Sequence, residues 1–328
     1  MSDTHPARYV SAGRLPERTS VQAIVDEARA LFADDDSGRL SAVYPALAEA
    51  DPSAFGLCVV SASGDVVASG DARSPFTIMS VAKPFVYALV GEAVGIEELR
   101  RRVGVNATGL AFNSAHAVER DPSGRTNPMV NPGAIATTAL ARGGDVEAQW
   151  SRLVEGLSRF AGHDLQLDDA TLASARASNH RNRALANMLK ELGALDGDPG
   201  DVVDLYTRQS CLSVSALDIA VMGATLADGG MNPLTGERVV DAETAHATLA
   251  VMTIAGLYET SGDWLFDVGM PGKSGIGGGI VTVSPGKGAL GTYSPLLDPT
   301  GNSVRGQLAA QYLARRLGLD LLASQALT

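Results

Sequence analysis

Residues 76–85 of the chain read FTIMSVAKPF and mark the point where a strand-rich segment gives way to a helical one. If a helix opens after Met79, the i,i+3 spacing places the hydroxyl of Ser80 and the amine of Lys83 on one face. A serine hydroxyl becomes nucleophilic when a base takes its proton, and a lysine desolvated by apolar neighbours can be that base. The stretch is therefore compatible with a reactive serine, but the same spacing more often belongs to a solvated helix face, so the rest of the chain must decide between the two.

Upstream of this stretch, the hydrophobic pattern predicts one helix and one hairpin. Apolar residues recur with helical spacing over residues 21–33. The β-branched runs 55–62 and 66–69 flank a Ser-Gly-Asp turn, which is typical of a β-hairpin. Near the other end of the chain, strands are predicted at 276–284 and 289–293, around a Pro-Gly-Lys-Gly turn.

The segment between these strands is helical in pattern. Predicted helices cover residues 81–94, 133–141, 147–161, 182–192, 202–209, 216–227 and 242–253, and a last amphipathic helix covers 302 to about 322. The fold class expected is therefore α/β, of the α+β type. Its antiparallel sheet comes from N- and C-terminal segments, is flanked by helices, and carries an inserted all-helical lobe.

The predicted organisation is a tail over residues 1–20 and a single catalytic unit over 21–328. Within that unit, a sheet lobe covers about 21–75 and 265–328, and a helical lobe covers about 76–264. Ligands prefer clefts between such lobes, so we expect a small-molecule site where Ser80 joins the two.

Composition excludes several classes of partner. The 328 residues are 45% hydrophobic and 19% charged, as in ordinary globular proteins. The formal net charge of −11 disfavours nucleic acid and anionic membranes as partners. Five histidines are scattered without ligand spacing, so a metal site is not expected. Two cysteines in apolar contexts and the lack of an export signal or a membrane-length apolar run favour the cytoplasm.

A second motif, KSGIGGGIV at residues 273–281, contains glycines at the start of a predicted strand. Glycine in a strand often marks a close approach by a ligand or another backbone. A Lys-Ser-Gly triplet far downstream of Ser-x-x-Lys is the arrangement of penicillin-recognising acyl-transfer enzymes. There a strand amide and the amide of the serine, here Ser80, form an oxyanion hole. A glycine-rich hairpin without a ligand is the alternative.

With their flanks, these motifs closely resemble the serine-dependent glutaminase family, which shares the fold of the β-lactamases and DD-peptidases. The resemblance covers about residues 38–314, and the combination of its segments is highly specific. The most telling segments are 80–84 (SVAKP), 127–131 (NPMVN), 227–240 (ADGGMNPLTGERVV), 270–279 (MPGKSGIGGG) and 293–304 (YSPLLDPTGNSV).

The resemblance implies an amidohydrolase that converts L-glutamine to L-glutamate and ammonia through an acyl-serine, without a cofactor. It assigns Ser80 as the nucleophile, Lys83 as its base and Tyr258 as a proton shuttle that also contacts the substrate. It also implies self-association into a homo-oligomer.

The same resemblance assigns the substrate-binding residues. Asn131, Asn182 and Tyr206 match residues that hold the carboxylate and amino end of the substrate, and the amide of Ile276 matches the second oxyanion donor. Each also has a structural interpretation. Asn131 could shape a turn, Asn182 could cap a helix, and Tyr206 and Tyr258 could be core residues with satisfied hydroxyls.

The sequence departs from the family pattern beside this site. Ala175 stands where the family carries a glutamate that pairs with the α-ammonium of the substrate, and Ala177 replaces another acidic residue. Losing one charge-assisted hydrogen bond costs about 1.5–3 kcal/mol. A family tyrosine near a proline is shifted by one place, to Tyr44 before Pro45. Two alternatives follow: the same machinery acting on an amide without a free α-ammonium, or a non-catalytic amino-acid-binding paralogue.

Overall fold

A computed structural model describes Leu15 and residues 17–323. Most of the predicted tail, residues 1–14 and 16, lies outside the described residues. The first helix, α1, begins at Arg18, inside the stretch predicted as tail. Its first turn, Arg18 to Ser20, is polar and exposed, so the hydrophobic pattern carries no signal for it.

Among the described residues, thirteen α-helices and eight strands follow one another along the chain. The helices are α1 (Arg18–Phe32), α2 (Ala82–Val94), α3 (Ile96–Val103), α4 (Ala115–Glu119), α5 (Asn131–Ala139), α6 (Val146–Ala161), α7 (Asp169–Ser178), α8 (His180–Glu191), α9 (Pro199–Ser210), α10 (Ala216–Ala227), α11 (Ala242–Ala255), α12 (Ser261–Val268) and α13 (Val304–Arg316). The strands are β1 (Gly56–Ser61), β2 (Val66–Gly70), β3 (Phe76–Thr77), β4 (Gln166–Leu167), β5 (Leu212–Val214), β6 (Gly272–Ser274), β7 (Gly279–Ser284) and β8 (Gly288–Tyr293).

The main sheet has five antiparallel strands in the order β2-β1-β8-β7-β6. The N-terminal hairpin and the C-terminal strands pair directly, with Gly56 opposite Tyr293. This confirms the predicted fold class, an antiparallel sheet assembled from both ends of the chain and flanked by helices.

Each face of the sheet packs against different helices because successive strand residues point to opposite sides. Cys58 and Val60 belong to the core that contains α10, whereas Leu57 and Val59 belong to the core that contains α1 and α13. The α10 helix lies close to β8, where a side chain on Gly291 would overlap the carbonyl of Ala216. The apolar pattern of the strands is therefore continuous, as it is in strands buried on both faces.

Two differences from the predicted strands bear on the site. The glycine-rich motif is two strands, β6 and β7, rather than the start of one, and residues 275–278 between them form a turn. Gly278 has φ +96°, which breaks the extended conformation. A small second sheet, in the order β3-β5-β4, was not predicted because strands of two or three residues show no measurable alternation.

The predicted helices are present, with ends shifted by a few residues. The α10 helix has the predicted bounds, whereas α13 ends at Arg316, several residues early. Gly318 has φ +64°, and this left-handed residue ends the helix. No single helix among residues 17–323 is long and apolar enough to cross a membrane; one sharply bent pair, Met79–Val94 with Ile96–Val103, meets the criteria of length and composition.

Candidate active site

Ser80 lies at the junction that the sequence indicated, between a strand and a helix. The chain leaves β3, forms a short 3-10 turn over Met79–Val81, and continues directly into α2. Met79 has φ +48°, a left-handed conformation that is strained for a non-glycine residue. This turn presents a half-exposed Ser80 to solvent while its neighbours on both sides are buried.

Lys83 is on the first turn of α2 and is 2% exposed. Its Nζ donates to Oδ1 of Asn131 at 2.7 Å and to the carbonyl of Met129 at 3.4 Å. These are its hydrogen bonds among the described residues, so it does not bond to Ser80 Oγ here, and such contacts often tighten only when substrate binds. Burial lowers the pKa of Lys83 to about 7. A neutral amine is therefore available near neutral pH.

Tyr258 is the second non-glycine residue with a left-handed backbone among those described, at φ +53°. It begins a 3-10 turn between α11 and α12, and its ring centre lies 4.7 Å from that of Phe112, with the two ring planes tilted by 43°. Its hydroxyl donates to the carbonyl of Ser274 at 3.3 Å, and the Ser80 side chain lies near enough to offset part of the effect of burial on the pKa of Tyr258. Burial raises the pKa of Tyr258 to about 12, so the phenol keeps its proton.

Lys273, from the Lys-Ser-Gly triplet, is fully buried behind Tyr258. Its Nζ lies 4.4 Å from the centre of the Tyr258 ring and donates to the carbonyls of Gly256 and Ser274 at 2.8 and 2.7 Å. Burial and the nearby Lys83 amine both lower the pKa of Lys273. Lys273 thus ties the end of α11 to β6 and supports the strained turn that holds Tyr258.

The turn after β6 lies against the start of the Ser80 segment. A Cβ on Gly275 would stand 3.2 Å from the amide nitrogen of Ser80, so the two backbones are in direct contact. Ile276, the next residue, lines the same cavity as Ser80. No backbone hydrogen bond of a turn or loop in residues 17–323 uses the Ile276 N–H as donor. This amide is free to bind an oxyanion beside Ser80.

A chain of amide side chains leads away from Lys83. Oδ1 of Asn131 also accepts from the hydroxyl of Tyr206 at 3.2 Å, and its Nδ2 donates to Oδ1 of Asn182 at 3.0 Å. Asn182 in turn donates to Asn179 at 2.6 Å, which donates to Thr207 at 2.7 Å. The network fixes the orientation of each amide, because every donor and acceptor in it is assigned by its neighbour.

Asn182 is not a helix cap. It lies within α8, which begins two residues earlier, and its side chain points into the network. Asn131 begins α5 and Tyr206 lies on α9, so three helices bring these side chains together. All three, together with Ser80 and Ile276, line one cavity of about 140 Å³.

Tyr44, the displaced tyrosine, also lines this cavity. It has an extended backbone and directly precedes a 3-10 turn over Pro45–Glu49. Tyr44 packs on a small apolar cluster that contains Met79, Ala175 and Cys211. The one-residue shift in the sequence therefore does not remove the tyrosine from the site.

Two residues at this site carried no signal in the sequence. Asn179 sits between α7 and α8 and looks like a loop residue. Arg181 stands at the cavity and donates to the carbonyl of Asn113 at 3.0 Å. Only the packing of α7, α8 and α9 brings such residues to Ser80.

The Gly277 position offers a test of how tightly the turn is held against the Ser80 segment. A side chain on Gly277 would overlap the carbonyl of Thr77, two residues before Met79. We expect Gly277→Ala to lower the free energy of unfolding by about 1–3 kcal/mol. We also expect it to lower kcat/KM by about tenfold or more through displacement of the oxyanion donors.

Gly262→Ala is the matched control for this substitution. Gly262 lies in α12 with no atom within 4 Å of an added Cβ. The control should be neutral or slightly stabilising, since alanine favours helix over glycine. Urea unfolding and steady-state kinetics measure both variants. Equal free energies of unfolding and equal kcat/KM values for the two would show that the turn at residues 275–278 can shift without affecting the site.

Comparisons with known proteins agree with this geometry. The family model described as Glutaminase matches residues 38–322. Glutaminase 2 of Yersinia pestis is 57% identical over 98% of this chain and 94% of its own length. The glutaminase of Colwellia psychrerythraea is 43% identical over 93% of this chain and 98% of its own length.

Solved structures give the same result. The probable glutaminase ybaS superposes with a TM-score of 0.92 at 38% identity, covering 94% of this chain and all of that one. A probable glutaminase of Bacillus subtilis superposes with a TM-score of 0.83 at 28% identity, covering 92% and 96%. The motifs, the fold and these matches lead to one conclusion: this protein belongs to the glutaminase family of hydrolytic enzymes.

Proposed function

We propose that this glutaminase-family enzyme hydrolyses the side-chain amide of L-glutamine to L-glutamate and ammonia, with Ser80 as the nucleophile of an acyl-enzyme reaction. The observation that carries the mechanism is the position of a half-exposed Ser80 at the cavity, close to the hydroxyl of Tyr258 and one helical turn from the buried amine of Lys83. Such a constellation is the requirement for an activated serine.

In the first step, Oγ of Ser80 attacks the amide carbon and its proton passes to the neutral Nζ of Lys83. The carbonyl oxygen gains the negative charge and binds the N–H groups of Ser80 and Ile276. Tyr258 donates a proton to the leaving nitrogen, ammonia departs, and an ester with Ser80 remains. Tyr258 recovers its proton from Lys83, so the charge balances.

In the second step, water attacks the ester carbon and gives its proton to Lys83. The tetrahedral intermediate uses the same two backbone donors. When this intermediate collapses, the bond between the substrate carbon and Ser80 Oγ breaks. Ser80 recovers its proton from Lys83, and glutamate leaves. Asn131, Asn182 and Tyr206 hold the α-carbon end of the substrate throughout, because their hydrogen-bonded network lines the same cavity as Ser80.

The pH dependence of the rate tests the role of Lys83. Its pKa of about 7 lies well below the ordinary value, and only the neutral amine accepts a proton. We expect kcat/KM to fall about tenfold per unit as pH decreases below about 7, and to level off above it. Ammonia release measured between about pH 5.5 and 8.5 checks this. A flat profile over that range contradicts a titrating amine as the base.

Covalent labelling tests the acyl-serine mechanism itself. A diazoketone analogue of glutamine presents an electrophilic carbon where the amide would lie. Intact mass spectrometry should show one adduct per chain, and peptide mapping should place it on Ser80. Binding of glutamate that raises the melting temperature without labelling or turnover would instead identify a non-catalytic amino-acid-binding protein.

Localisation, partners and organisation are further parts of the same proposal. Cys58 and Cys211 are buried free thiols, which favours a reducing, cytoplasmic setting. The net charge of −11 disfavours nucleic acid and anionic membranes as partners. Self-association into a homo-oligomer is part of the proposal because the family resemblance implies it. We retain one catalytic unit over residues 21–328, with the sheet and helical lobes given above.

A further inference from the structure

The cavity that holds Ser80 contains no carboxylate. Among its lining residues, all of them in the described part of the chain, there is no aspartate or glutamate, and the one cation is Arg181. L-Glutamine carries an α-ammonium, which binds best to a carboxylate through a charge-assisted hydrogen bond. In this cavity the ammonium meets only neutral acceptors and a nearby guanidinium.

Two acidic side chains, one on α9 and one at the start of α7, are engaged elsewhere. Asp204 is paired with Arg176 and Arg208 at 2.8 and 2.7 Å. Asp168 caps the start of α7 at 2.8 Å from the amide of Thr171 and lines a different cavity. Neither carboxylate is available to an amino group beside Ser80.

The wall beside Ala175 is apolar instead. Ala175 is 1% exposed and packs with Met79 and Cys211, and Ile276 packs on this cluster. At the rim of the same cavity, Val43 is 55% exposed. A small acyl group on the α-nitrogen of the substrate would cover these apolar atoms. The same group would also remove the positive charge of the α-ammonium.

We infer that this site accepts N-acyl-L-glutamine as a substrate alongside L-glutamine. The inference rests on the proposed function, since the same Ser80 chemistry acts on the same side-chain amide. Water and N-acyl-L-glutamine give N-acyl-L-glutamate and ammonia, and the acyl group is not cleaved. Asn131, Asn182 and Tyr206 keep their contacts with the α-carbon end, because those side chains are uncharged.

The test compares N-acetyl-L-glutamine with L-glutamine by ammonia release. For the wild type we expect kcat/KM for N-acetyl-L-glutamine, divided by kcat/KM for L-glutamine, to exceed about 0.1. The reason is that acetylation of the α-nitrogen removes no ion pair when the cavity offers the ammonium no carboxylate. Ala175→Glu should lower this ratio by about 10- to 100-fold, the effect of one charge-assisted hydrogen bond to the ammonium of glutamine. Ala177→Glu is the matched control, because Ala177 is exposed on the same helix and does not line the cavity.

The outcomes separate this inference from the proposed function. Turnover of glutamine with a wild-type ratio below about 0.1 overturns the inference alone. The inference is also overturned if Ala175→Glu and Ala177→Glu give the same ratio of kcat/KM for N-acetyl-L-glutamine to kcat/KM for L-glutamine. If Ala175→Glu does not fold, the wild-type ratio decides by itself. Ammonia from neither substrate, with Ser80 unlabelled, overturns the proposed function and the inference together.

Discussion

Ser80→Ala should lower kcat for ammonia release from glutamine by about 10⁴-fold or more, because the nucleophile of the covalent intermediate is lost. Ser80 is half-exposed at the cavity, so its hydroxyl is not needed to fill the core. The free energy of unfolding should therefore change by less than about 1 kcal/mol.

Binding provides the control for this variant. The Asn131 and Asn182 network does not involve the Ser80 side chain, so glutamate should still raise the melting temperature of Ser80→Ala. The residual rate comes from the oxyanion donors and binding alone. A variant that keeps more than about a tenth of the wild-type rate shows that another group performs the chemistry.

The fold was predictable from the sequence where the signal is local. The turn between the runs at 55–62 and 66–69, and the apolar periodicity of α10, depend on neighbouring residues, and both appear as predicted. Assignment to the glutaminase family is confirmed by the family match and by close relatives. What local pattern could not show was the break at Gly278, because one left-handed glycine divides the motif into two strands.

The site was predictable in part for the same reason. The proximity of Ser80 and Lys83 follows from a helix start, which is a local feature. The proximity of Asn179 and Lys273 to the cavity depends on the packing of distant segments, which periodicity does not encode. Tyr44 is shifted by one place from the family pattern, yet it lines the cavity. A shift in the sequence alone therefore did not show whether the residue belongs to the site.

The strained backbone and the buried amines at this site lower the stability of the protein, which indicates that they are kept for function. The two left-handed residues Met79 and Tyr258 flank the Ser80 hydroxyl in space, and each costs about 1–3 kcal/mol. Within the described part of the chain, Lys83 and Lys273 are buried without a carboxylate partner, since their hydrogen bonds go to neutral oxygens. A protein selected for stability alone would replace such amines with apolar side chains.

Lys83→Met should therefore lower kcat by about 10³-fold or more while leaving the protein as stable as the wild type or more stable. Methionine fills similar volume without a charge to desolvate. Oδ1 of Asn131 keeps the hydroxyl of Tyr206 as donor, and Nδ2 keeps Asn182. We thus expect KM to change by less than about tenfold while kcat falls.

The pH dependence of stability distinguishes this explanation from general damage to the site. The folded-state pKa of Lys83, about 7, lies below its unfolded value of 10.5. The unfolded chain therefore binds more protons between these two values, and wild-type stability rises with pH across that window. Lys83→Met removes this contribution, so its urea midpoint should rise less steeply between about pH 7 and 10. The Lys83→Arg side chain stays charged, so this variant should have neither the turnover of the wild type nor the stability of Lys83→Met. Full turnover by Lys83→Met or by Lys83→Arg rules out a neutral amine at residue 83 as the base.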